Sequence, residues 1–324
     1  VRTPKKLLSI AAIFSGFIFF STAVAQNQDA AQGGNGLQIS PTRSDINAQP
    51  GEVKTFTVSL RNITKGDLTA KVSVKDFESD NVSGTPQIVV DDNNRTPNTI
   101  KNFLSGAQDV ELKANEVKEI KLTLTVPADA APGAYYGAIV YEASPKKSQN
   151  NDDRQVALSA SVAHLVLLEV AGDVTEQIQI ESLKAQRDNQ PKSFFFSKPD
   201  SMAVSVKNLG NGFARPFGTV NVKNMFGGQA ANYEVNNTIP KGAILPDSSR
   251  TFTNPIDKIN LPGRYSAVAA IAYGDGGEVV VYKSSFWYLP VWTLIILALV
   301  LLVAIYFARR FYKNKFKRST KHRF

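Results

Sequence analysis

Two histidines, His164 and His322, stand in a chain of 324 residues that contains no cysteine. Thiol nucleophiles, disulfides and Cys-based metal sites are therefore excluded, and a histidine metal cage has too few members. Catalysis needs a positioned base, nucleophile or metal. No Gly-x-Ser-x-Gly elbow, phosphate loop, His-Glu-x-x-His pair or EF-hand spacing occurs. Asp91-Asp92-Asn93-Asn94 could offer oxygens to Ca²⁺, but such runs are ordinary turn chemistry and no further ligands are spaced around them. Gly274-Asp275-Gly276-Gly277-Glu278 reads as a hairpin turn. The expectation is a chain without catalytic, cofactor or metal residues, and so not an enzyme.

Phe194-Phe195-Phe196, between Lys192 and Lys198, is a different kind of candidate. Neighbouring residues of a strand point to opposite faces, so the three rings cannot share one core. An interdomain or edge-strand contact would account for them. So would a partner or membrane-proximal surface, because exposed aromatics mark such surfaces.

Charge and hydropathy at the two ends say where these residues are displayed. Arg2, Lys5 and Lys6 precede an apolar run, and Ala23-Val24-Ala25 follows it. Residues 1–25 read as a secretory signal peptide with cleavage expected after Ala25, a retained N-terminal anchor being the alternative. Residues 286–308 carry no charge and would span about 34 Å as a helix, enough for a bilayer core. Trp287, Tyr288 and Trp292 at one end and Tyr306 at the other match interfacial aromatic belts. Arg309 and Arg310 open a tail, 309–324, with eight basic residues and no acidic one. Positive charge stays in the cytoplasm, so the tail is expected inside and everything before residue 286 outside. The tail's basic residues would also meet anionic membrane lipids. These eight and the three N-terminal ones hold the whole excess. Removing eleven from the 37 basic residues leaves 26, against 28 acidic ones. A segment near neutrality gives no sign of a nucleic-acid groove.

Residues 26–36, rich in Gln, Asn, Ala and Gly, read as a flexible leader. Period-two alternation dominates from there. Phe56, Val58 and Leu60, then Leu68, Ala70, Val72 and Val74, then Ile120, Leu122, Leu124 and Val126 each mark a strand with one buried face. Gln49-Pro50-Gly51, Thr64-Lys65-Gly66-Asp67 and Ala131-Pro132-Gly133 supply turns. Residues 156–170 alternate at first and become apolar on both faces from Leu165 to Leu168, as a strand lying under a neighbour would. His164 falls in its inward phase and reads as a hydrogen-bonded core residue.

An internal repeat sets the domain count. Thr57-Val58-Ser59-Leu60-Arg61-Asn62 recurs as Ala203-Val204-Ser205-Val206-Lys207-Asn208, and Pro132-Gly133-Ala134-Tyr135 as Pro262-Gly263-Arg264-Tyr265. The tyrosines suit a corner in which the ring packs inward and the hydroxyl reaches backbone. The fold expected is all-β: sandwich domains over 37–172 and 173–285, then one transmembrane helix. Leu37-Gln38-Ile39-Ser40-Pro41-Thr42-Arg43, Pro50-Gly51-Glu52, the Asn62 strand and Val126-Pro127 leading to Pro132-Gly133-Ala134-Tyr135-Tyr136-Gly137 together resemble the first domain of the WxL-interacting proteins. Those are Gram-positive surface proteins with two immunoglobulin-like domains, a C-terminal transmembrane helix and a basic tail. The N-terminal stretch is also loosely similar to pilus-chaperone domains.

The resemblance implies immunoglobulin-like sandwiches and a role at the cell wall: binding peptidoglycan, partner surface proteins or a host surface. No binding residue comes with it. The expected function is a non-enzymatic, membrane-anchored surface-binding protein. The alternative is a chaperone-like assembly or transport accessory that offers an edge strand to exported clients.

Overall fold

The computed structural model of the chain describes residues 31–32, 36–90, 96–145, 160–274 and 277–319. The expected signal peptide and the Asp91–Asn94 turn lie outside the described residues. In chain order the strands are β1 (Ala31–Gln32), β2 (Leu37–Ser40), β3 (Arg43–Ala48), β4 (Val53–Asn62), β5 (Leu68–Lys75), β6 (Phe77–Ser79), β7 (Pro86–Ile88), β8 (Leu104–Ser105), β9 (Val110–Leu112), β10 (Val117–Thr125), β11 (Gly133–Pro145) and β12 (Ala160–Val170). There follow β13 (Ile178–Arg187), β14 (Gln190–Pro191), β15 (Phe194–Phe195), β16 (Ser201–Asn208), β17 (Phe217–Asn224), β18 (Gln229–Val235), β19 (Ser249–Pro255), β20 (Gly263–Tyr273), β21 (Glu278–Tyr288) and a helix α1 (Val291–Ser319). The chain is thus all-β with one terminal apolar helix.

The repeat seen in the sequence is a repeat of topology. One pair of sheets has the orders β1-β2-β4-β10-β8 and β3-β12-β11-β5-β9. The other has β14-β13-β16-β19 and β15-β21-β20-β17-β18. The central strands correspond one for one: β2, β4, β10 to β13, β16, β19, and β3, β12, β11, β5, β9 to β15, β21, β20, β17, β18. Even the unusual member is duplicated, since β3 runs parallel to β12 and β15 parallel to β21 in otherwise antiparallel sheets. Two residues of the expected leader, Ala31 and Gln32, are not free but pair with Ile39 and Gln38 of β2.

Alternation places one face of each strand in a core. Leu37, Ile39, Val58, Leu60, Leu122, Leu124 and Leu168 belong to the first core, and Val204, Val206, Val220, Ile271 and Phe286 to the second. The repeated asparagines are buried at the ends of equivalent strands. Asn62 Nδ2 donates to the carbonyls of Gly66 (2.7 Å) and Lys113 (2.9 Å), and its Oδ1 accepts from the Thr64 amide. Asn208 Nδ2 donates to those of Gly212 (2.8 Å) and Ile244 (3.0 Å), and its Oδ1 accepts from the Gly210 amide. Each side chain replaces the strand ladder just where the chain turns away. The repeated tyrosines do the same work at the opposite corner: Tyr135 Oη donates to Ala131 O at 3.1 Å and Tyr265 Oη to Leu261 O at 2.6 Å.

A third apolar cluster joins the sandwiches. Phe77, Tyr136, Val140 and Leu167 of the first meet Phe213 and Leu245 of the second. Leu165 and Leu167 point into it while Val166 and Leu168 point into the first core, which is why β12 is apolar on both faces. Backbone and side chain reinforce the contact. The Ala134 amide donates to Asn211 O (2.8 Å), the Thr251 amide to Val82 O (2.7 Å), and Arg215 pairs with Asp45 at 3.3 Å. Val82 sits on the turn joining β6 to β7, so that hairpin reaches across to the exposed edge of β19.

The helix begins later than the sequence suggested. Phe286 is a core residue of the second sandwich, and Trp287 and Tyr288 are the last residues of β21, paired with Arg264 and Gly263. They are therefore strand residues, not the first turn of a span. Alternation of Tyr282, Ser284 and Phe286 carries the strand past the last charge, and Pro290, lacking an N–H, stops it. The apolar stretch of α1 that is long enough to cross a bilayer is Val291–Tyr312, and none of its most apolar window is buried. The helix runs on through Arg309 and Arg310 to Ser319.

Candidate functional site

Chemistry-bearing side chains converge in the groove between the sandwiches. It is open, about 580 Å³, and lined by Pro41, Thr42 and Arg43, by Pro86 and Ile88 of β7, by Val162 and Leu165 of β12, and by Pro240 from the second sandwich. A smaller extension of about 220 Å³ shares Arg43, Pro86 and Leu165 and continues to Glu78, Leu245 and Arg250. The floor is aliphatic because β12 turns its second apolar face this way, and the rim is polar because strand ends and turns meet there.

Two guanidinium groups define its electrostatics. Arg43 donates to Asp45 Oδ2 at 2.6 Å and to the carbonyl of Lys241 at 3.3 Å, tying the groove's two walls together. Arg250 donates to Ala243 O at 3.3 Å and lies over the Phe252 ring, 5.3 Å from its centroid. Gly84 and Gly242 make room for it. A Cβ at Gly84 would sit 2.6 Å from Arg250 Cδ, and one at Gly242 2.6 Å from its Nη1. Burial first, and then the charge of Arg43, pull the Arg250 guanidinium below its ordinary pKa. An arginine remains protonated in any protein setting, so the groove holds two cations, Arg43 paired with Asp45 at 2.6 Å and Arg250 with Asp80 as the opposing charge. A carboxylate entering there could accept charge-assisted hydrogen bonds from the two guanidinium groups.

His164 lies beneath this region with its ring fully buried, stacked 5.7 Å from Phe56. Its Nδ1 is 2.7 Å from Pro41 O, which fixes the proton on that nitrogen, and its Nε2 has no partner. Burial, outweighing the bond to Pro41, lowers its pKa. It is the hydrogen-bonded core histidine that the alternation predicts. Among the described residues no group of three His, Asp or Glu side chains is placed to hold a metal ion.

The aromatic triplet splits as strand geometry requires. Phe195 is buried in the second core, edge-on to Phe286, while Phe194 and Phe196 are exposed. Phe194 stacks on Trp287, with ring centroids 6.4 Å apart and planes 6° from parallel. The triplet, Trp287, Tyr288 and Trp292 therefore gather at the end of the second sandwich, remote from the groove, whereas Tyr306, Arg309 and Arg310 lie far along α1. Sequence reasoning gave no weight to Arg43 or Arg250. The one available signal was Arg43 itself, standing directly after Ser40-Pro41-Thr42 where the chain passes from one sheet to the other.

Comparison with known proteins bears on the first sandwich. Residues 38–143 match the family described as WxL Interacting Protein, peptidoglycan binding domain, in agreement with the resemblance seen in the sequence. No curated protein matches the chain. Among solved structures, the class 5 fimbriae chaperone CfaA is similar over 77% of this chain and 98% of its own, with 15% identity and a TM-score of 0.39. The E. coli chaperone DraB covers 77% and 96%, with 11% identity and a TM-score of 0.34.

Proposed function

We propose, from the match of residues 38–143 to the WxL-interacting-protein peptidoglycan binding domain, that the chain is a membrane-anchored, non-enzymatic wall-binding protein. The family match over residues 38–143 is the observation that carries this reading. The bare apolar helix Val291–Tyr312 supports anchoring, and the basic residues that follow support a cytoplasmic C-terminus. The sandwiches would then stand on the wall side of the membrane.

The groove between the sandwiches is the surface proposed for the polymer. Peptidoglycan offers carboxylates on its stem peptides and N-acetyl methyl groups on its sugars. Arg43 and Arg250 suit the first, and the Ile88, Val162 and Leu165 floor suits the second. Two immunoglobulin-like modules of matching topology would thereby act as one binding unit. Soluble peptidoglycan fragments titrated calorimetrically into the detergent-solubilised full chain test the assignment. Arg43→Gln is expected to weaken binding by about tenfold, the loss of one charged hydrogen bond. Equal affinity for the two proteins would remove the groove from the account.

A further inference from the structure

We infer that the end of the second sandwich nearest α1 is built to rest on the lipid bilayer that holds the helix, so that the ectodomain is seated on the membrane rather than tethered to it. The inference rests on the anchoring reading above and adds a second contact with the membrane.

Strand register shows which loops share that end. β21 finishes at Tyr288 opposite Gly263, the first residue of β20, and β17 finishes at Asn224 opposite Tyr265. The β17–β18 turn, residues 225–228, and the loop leading to Gly263 are therefore at the level of Trp287. The Met225 sulfur occupies the space beside Gly263 that a Cβ would take. Phe194 and Phe195 pair with Trp287 and Tyr288, which brings the aromatic triplet to the same level.

These loops and strand ends expose large apolar side chains that lie outside the core. Phe194 is 59% exposed, Phe196 57%, Met225 59% and Phe226 75%, and Leu261 and Trp287 are also open. Scattered apolar residues on a surface mean little, but a cluster from four separate segments at one end does. The turn that carries Met225 and Phe226 is ordered, not slack. Asn224 Oδ1 accepts from the amides of Phe226 (3.0 Å) and Gly228 (2.9 Å). Lys192, Lys258 and Arg264 are exposed around the cluster, the charge that suits anionic headgroups. Trp at such a boundary, with lysine and arginine beside it, is the usual membrane-interface composition.

The occupant is fixed by continuity with the helix. Only Leu289 and Pro290 separate β21 from α1. The Leu289 amide donates to Phe195 O at 2.8 Å, and the Thr293 amide and hydroxyl both donate to Pro290 O. The joint thus has no free linker, and Trp292 in the first turn of the helix lies close to Trp287 along the chain. A bilayer that takes up α1 from Val291 meets the exposed rings of the sandwich within a turn or so of its surface.

The chain's two tryptophans, Trp287 and Trp292, are natural reporters. The full-length chain is reconstituted into vesicles of phosphatidylcholine and phosphatidylglycerol whose acyl chains are brominated near the glycerol. The variant Trp292→Phe leaves Trp287 alone, and Trp287→Phe leaves Trp292 alone. A third chain carries Phe226→Trp with both natural tryptophans replaced by Phe, and it reads the loop on another strand pair. The expected result is quenching by the brominated lipid of Trp287 and of the reporter at 226 to an extent approaching that of Trp292. If Trp292 is quenched while the other two respond only to aqueous iodide, the seat is wrong and the anchor stands. If Trp292 itself escapes the brominated lipid, the anchor fails and the seat with it.

Discussion

At the scale of single residues, the fold is held at its turns by side chains that stand in for backbone. Asn62 and Asn208 satisfy carbonyls that no strand can reach, from fully buried positions. Asn208→Ala should therefore cost about 1–3 kcal/mol in urea unfolding, because the carbonyls of Gly212 and Ile244 lose their donor without gaining water. His164 gives a pH dependence. Its pKa is lower in the folded chain than the ordinary 6.5, so the unfolded chain binds the extra proton first as pH falls. Its contribution to stability is whole above about pH 6.5 and declines as pH drops from there toward the depressed folded pKa. Thermal unfolding between pH 5 and 8 should show a steeper acid-side loss for the native chain than for His164→Gln. Parallel curves would refute that role. Although the asparagines stood out only as members of a repeat, the tyrosine corners and the burial of His164 were legible in the sequence, since each depends on local alternation and a nearby turn. The partnerless Nε2 was not, because it is set by Phe56 and by a carbonyl distant in the chain.

At the scale of elements, the decisive feature is the junction. β12 serves two cores, and the apolar run through Leu165–Leu168 announced this before any partner was known. What the run could not say is which residues of the second sandwich lie opposite. Phe213 emerges from a turn, between the Tyr136 ring at 6.2 Å and the Arg215 guanidinium at 5.5 Å. Phe213→Ala should remove about 3–5 kcal/mol of packing at the junction. Calorimetry should then resolve two unfolding transitions in the variant against one expected for the native chain, and a single transition shifted as a whole would contradict the separate cores. The groove was illegible for the same reason: Arg43 and Arg250 belong to different sandwiches, and only the docking of the two brings them together. The start of the helix was misjudged because charge alone delimits a hydrophobic stretch, whereas the strand ladder, ending at Pro290, decides where β21 gives way to α1. Gly84→Ala tests the groove at this level. The positive φ of 75° and the Arg250 side chain beside it both oppose a Cβ, so weaker fragment binding is expected with both sandwich cores intact.

At the scale of the whole molecule, two sandwiches of matching topology share an apolar cluster, and only Leu289 and Pro290 separate the second from the bare helix. Adding protease to intact cells should cut within residues 36–285 and leave the tail beyond Arg309 protected. The reverse pattern would invert the orientation that the basic residues indicate. The most direct test of wall binding is sedimentation of the detergent-solubilised full chain with purified, protein-free peptidoglycan sacculi. The account predicts saturable co-sedimentation that Arg43→Gln and Gly84→Ala both reduce; a chain that stays in the supernatant at every sacculus concentration would contradict it.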